Sequence, residues 1–125
     1  MLTYVLVALG AAVGAPARYL ADRWVQQRFV PLFPWGTFGV NVAGSLLMGG
    51  FVASATTGHL SAAGLVLLGA GFCGGLTTFS SFGWETNRLV EDGATLLATV
   101  NVAASTTACV VAAGLSWWAT SALLV

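Results

Sequence analysis

A chain of 125 residues is long enough for one domain. Hydrophobic residues make up 58% of it and charged residues 6%, against roughly 25% charged in soluble proteins. Lysine is absent, and four arginines balance four acids. That composition excludes a water-soluble fold and leaves neither a basic surface for nucleic acid nor an acidic tail.

In chain order, the first apolar segment covers residues 2–20 and runs into a charged stretch from Arg18 to Arg28. A bilayer core takes about 20 mostly apolar residues per helix, so this is the first predicted span. Its start, Met1-Leu2-Thr3-Tyr4, holds no basic residue, whereas a cleaved leader would carry one; the segment is expected to remain as a helix. Pro31 and Pro34 predict a connector, with Trp35 at the membrane interface. A second span is predicted over residues 36–55. From Phe29 to Trp84 no residue is charged, and the only turn chemistry there is TTGHLS at 56–61. That turn divides the stretch into two helices. The third predicted span covers 62–84, followed by a polar loop, ETNRLVEDG at 85–93, and a fourth span lies within 94–118, closing on Trp117 and Trp118. Four spans put both termini on one side, with all the arginines opposite; the positive-inside rule then places the termini outside.

Glycines pair at small-xxx-small spacing: Gly10 with Gly14, Gly71 with Gly75, and Gly36, Gly39, Gly44, Gly49 and Gly50 along the second span. In lipid, helices associate through close backbone approach at such positions, either within one chain or between two. Cys73 and Cys109 lie in apolar segments without metal-ligand spacing and read as small packing residues.

The polar residues inside the spans need a reason. Asn41 sits in the second span, where a carboxamide must find partners. Arg18 ends the first, within reach of the interface. The densest group is GGLTTFSSFGWE at 74–85. Gly74 and Gly75 are poor helix formers, and the hydroxyls of Thr77 and Thr78 compete for backbone. Together they predict a break in mid-membrane, whose freed carbonyls offer a site for a bare cation. Beyond it, Phe79 and Phe82 share a helix face, and Ser81 and Glu85 an adjacent one. Ring edges carry partial positive charge. With hydroxyls and one amide they would line a path for a small anion, with no lysine or arginine to trap it.

These residues carry a resemblance. GAAVGAPARY (10–19), GTFGVNVAGSLLMG (36–49) and above all GFCGGLTTFSSFGWE (71–85) resemble the Fluc fluoride channel family, also called the CrcB family, over nearly the whole chain. The resemblance implies an all-α membrane protein of four transmembrane helices with a break in the third, packed as an antiparallel, dual-topology dimer. It implies two fluoride pores and a structural sodium ion at the dimer centre, held by the backbone carbonyls of Gly74 and Thr77 from both chains. Phe79, Phe82 and Asn41 would line the pores, Ser81 and Ser105 would belong to the polar track, and Arg18 and Glu85 would be the charges at the pore ends. Two positions depart from the family pattern: Gly83 stands where many members carry a second hydroxyl, and Asn101 where a tyrosine is expected. The implied function is passive export of fluoride. Because the arginines favour one orientation, the partner is either a second, inverted copy or an inverted relative.

Rival readings fit less well. A small multidrug-type antiporter needs a membrane-embedded acid, and the first span has none before Asp22 at its end. A membrane enzyme using Ser80 or Ser81 would lack a base, since His59 lies in a loop. A structural subunit of a larger complex, with the phenylalanines as packing, is the remaining alternative.

Overall fold

The computed structural model describes residues 1–29 and 32–125; Pro31, expected in the first connector, lies outside them. Among the described residues four helical stretches are long and apolar enough to cross a membrane: Leu2–Gln26, Trp35–Thr56, Ala62–Glu91 and Thr95–Leu124. The first two are α1 and α2. The third is composite: α3 (Ala62–Leu65), a π-helical segment (Val66–Cys73), α4 (Gly74–Leu76) and α5 (Phe79–Glu91). The last is α6. Hairpin turns at Gly58 and Gly93 use glycines with φ of 79°, a conformation that side chains disfavour.

Two charged stretches prove more helical than their composition suggests. The segment after residue 20 continues α1 to Gln26, held by i,i+4 contacts such as Gln26 Nε2 donating to Asp22 Oδ2 at 2.7 Å. The expected polar loop at 85–93 is mostly helix, α5 running to Glu91, with Asn87 Nδ2 donating to Glu91 Oε1 at 2.8 Å. Such pairs stabilise a helix after it leaves the apolar zone. Glu85 is therefore inside α5 and does not close it. α6 likewise runs past Trp117 and Trp118 to Leu124.

Packing follows the small residues. α1 lies along the π-helical segment and α4, while α2 lies along α6. A Cβ on Gly10 or Gly14 would collide with the Leu67 or Phe72 carbonyl, and one on Gly75 would come within 2.9 Å of Ala11 Cα. On α2, a Cβ on Gly49 would strike the Ala113 backbone of α6. These glycines let backbones touch where lipid gives apolar side chains no reason to associate.

The break in the third span does occur, two residues later than the glycines. Gly74 is helical (φ −63°, ψ −36°), whereas Thr77 (φ −81°, ψ 159°) and Thr78 (φ −150°, ψ 125°) are extended. Gly75 serves the contact with α1, and the interruption belongs to the threonines.

Candidate functional site

An extended residue in mid-membrane exposes an N–H and a C=O that lipid cannot satisfy. Asn41 of α2 satisfies both for Thr78. The Thr78 N–H donates to Asn41 Oδ1 at 2.7 Å, and Asn41 Nδ2 donates to the Thr78 carbonyl at 2.9 Å. The side-chain amide thus acts as a one-residue strand partner. Because the Thr78 N–H goes to Asn41, it does not continue the helix onto the Gly74 carbonyl. Thr77 closes the upstream helix instead, its N–H and its hydroxyl each donating to the Cys73 carbonyl at 2.9 Å. Thr78 then caps α5, its hydroxyl oxygen accepting from the Ser81 N–H at 3.2 Å.

Around this clamp lies a cavity of about 290 Å³ lined by Asn41, Ser45, Thr77, Thr78, Phe79, Phe82, Ser105, Thr106 and Cys109. The rings of Phe79 and Phe82 tilt at 45° with centroids 5.6 Å apart. No charged side chain is in this lining. Phe79 remains 82% exposed on the single chain, so the cavity wall it forms is open on its outer side. Of the residues expected at the site, Asn41, Phe79, Phe82, Thr77 and Ser105 converge here. Ser81 does not line this cavity; its hydroxyl sits 3.2 Å from Thr78 Oγ1 as part of the cap.

The two expected pore-end charges do not pair with each other. Arg18 Nη1 lies 3.4 Å from the Thr77 carbonyl. Glu85 accepts at Oε1 from the buried Thr37 hydroxyl at 2.8 Å, while its Oε2 is enclosed without a partner among the described residues. Glu85 also borders a second, larger cavity of about 620 Å³ at the charged end, where Asp22, Trp35, Trp84 and Arg88 face it. Along α2, Thr37 and Asn41 are one turn apart.

Residues not expected at the site complete it, Cys109 among them having been read as packing. Ser45, Thr106 and Cys109 share the small cavity, Thr37 holds Glu85, and Thr86 joins Asn101 and Phe82. A signal for them exists. Thr37, Asn41 and Ser45 recur every fourth residue on α2, as do Asn101, Ser105 and Cys109 on α6, and such positions share a helix face.

Comparison with known proteins finds relatives along nearly the whole chain. The family model described as CrcB-like protein, Camphor Resistance (CrcB), matches residues 5–117. The fluoride-specific ion channel FluC 1 of Streptomyces avermitilis is 47% identical over 122 residues, covering 98% of this chain and 98% of its own. FluC 1 of Frankia casuarinae is 50% identical over 119 residues, with 91% and 92% covered. FluC of Anaeromyxobacter sp. is 43% identical over 114 residues, covering 90% of each chain. The family model spans nearly the whole chain, and on that extent the chain belongs to the CrcB family.

Proposed function

We propose that this chain is the subunit of a fluoride-selective channel that passively exports cytoplasmic fluoride across the inner cell membrane. The observation that carries the reading is the convergence of Asn41, Ser105, Phe79 and Phe82 on one uncharged cavity in an otherwise apolar protein. Hydroxyl and amide donors and ring edges replace the water that a small anion gives up. No lysine or arginine side chain lines the cavity to trap the anion. Fluoride enters cells as the neutral acid, dissociates, and is driven out through an open pore by the interior-negative potential, at about 2.3 kcal/mol per charge per 100 mV.

The working unit in this reading is an antiparallel dimer, of two copies or of this chain with an inverted relative. Phe79, 82% exposed on one chain, and the open space beside Gly74 support a second chain against this face. A structural sodium ion would be held by the Gly74 and Thr77 carbonyls. The donor chemistry fits a hard cation: the helix break takes the Thr78 N–H away from the Gly74 carbonyl, while the Thr77 carbonyl meets only the 3.4 Å approach of Arg18. The ion would supply a fixed positive charge that ties the two breaks together.

Purified protein in liposomes, followed with a fluoride electrode, tests the function. Rapid fluoride efflux with chloride nearly excluded is expected, because closely packed rings and hydroxyls leave a narrow path. Comparable chloride and fluoride currents would refute selectivity, and no flux at all would favour a structural subunit.

A further inference from the structure

Asn101, at 1% exposed, is the most enclosed of the buried polar side chains among the described residues. Its hydrogen bonds run in one direction. The Phe82 carbonyl can only accept, and the Thr86 hydroxyl donates to it at 2.7 Å. With its one proton so placed, Thr86 Oγ1 accepts from Asn101 Nδ2 at 2.9 Å. The amide oxygen is thereby turned toward Ser105, whose hydroxyl donates to Asn101 Oδ1 at 3.1 Å. Ser105 borders the small cavity beside Asn41, Phe79 and Phe82. A hydroxyl has one proton, and here it points away from the cavity along α6. The cavity is left facing the lone pairs of Ser105, which repel an anion.

Building on the channel reading above, we propose that Asn101 is a positioning residue that holds the Ser105 proton out of the conduction cavity and so weakens the cavity's grip on fluoride. An arriving fluoride ion draws the hydroxyl toward itself only by detaching it from Asn101. The amide oxygen is then enclosed without a donor, which is unfavourable in a buried site. The Ser105–Asn101 bond re-forms as the ion departs. The lining therefore binds fluoride and also favours its release, the condition for conduction rather than capture.

The test measures fluoride efflux from liposomes over a series of fluoride concentrations for the unsubstituted protein, Asn101→Leu, Ser105→Ala and the double variant. Leucine is close to asparagine in size and offers no acceptor. Asn101→Leu should lower the half-saturating fluoride concentration about fivefold or more, the low end of what one orphaned buried acceptor is worth, and should reduce the maximal rate as release slows. In the Ser105→Ala background the same change should leave half-saturation where Ser105→Ala alone puts it. Asn101→Ala, which removes the acceptor with less bulk, guards against a leucine that does not pack. An equal shift in both backgrounds, or no shift, overturns the proposal. So does failure of both Asn101 variants to fold, which would make the residue purely structural. Absence of fluoride flux from the unsubstituted protein is a separate result: it refutes the channel reading and this proposal with it.

Discussion

Replacing Asn41 with leucine isolates the clamp on the broken helix. The substitution keeps bulk while removing both partners of Thr78, the acceptor at 2.7 Å and the donor at 2.9 Å. Each buried backbone group left without a partner costs about 1–3 kcal/mol. The two together predict a loss of about 2–6 kcal/mol, unless the third span relieves it by straightening and returning the Thr78 N–H to the Gly74 carbonyl. Either outcome impairs function: the first destabilises the broken segment, and the second rotates Phe79 and Phe82 out of the cavity. Denaturant titration of the purified protein in mixed micelles gives the stability change, and liposome efflux gives the function. Gly39→Ala is the control on the same helix, since a Cβ there meets nothing within 4 Å; it should leave stability unchanged or raise it by up to about 1 kcal/mol. An Asn41→Leu loss under about 1 kcal/mol with fluoride flux intact would refute the clamp.

Phe82→Ile and Phe79→Ile keep apolar bulk but remove the polarised ring; each should sharply reduce fluoride efflux while the protein still elutes as an intact assembly. Unchanged flux from both would reduce the rings to packing. Gly75→Ala and Gly74→Ala should part company despite adjacency. The first drives a methyl to within 2.9 Å of Ala11 Cα and should destabilise the chain by about 1–3 kcal/mol through overpacking. The second faces open space on one chain, so it should spare monomer stability and weaken dimerisation, measured by dilution in detergent or by crosslinking in vesicles.

The spans and the interrupted third helix were legible because each rests on local composition or spacing, whereas placing Asn41 with the two phenylalanines rested on the family resemblance. Within the expected stretch 74–78, the exact residue of the break was not legible. Glycine propensity points to Gly74 and Gly75, yet Gly75 is needed where α1 comes close, and the interruption is stabilised by Asn41, 37 residues away from Thr78. Non-local pairing of this kind leaves no mark in a local window. Ser81 was expected in the polar track from the family resemblance alone; on the single chain its N–H and hydroxyl meet the Thr78 hydroxyl at the start of α5. The polar faces of α2 and α6, by contrast, were written in plain four-residue spacing. What hid Thr37, Ser45 and Cys109 was the ordinary role of small polar residues in packing membrane helices.

The π-helical segment has a consequence for how the chain tolerates insertion and deletion. Its i→i+5 bonding accommodates more residues per turn than the α-helices on either side. Losing one residue between 66 and 73 would let the segment tighten toward α-helical bonding, and Thr78 could stay opposite Asn41. The stretch from Phe82 to Glu85 has no such slack, being regular α-helix. One residue lost there would turn Glu85 by about 100° relative to Phe82 and carry it away from Thr37. Length changes are thus absorbed upstream of the break and carried into the Thr37–Glu85 contact downstream of it.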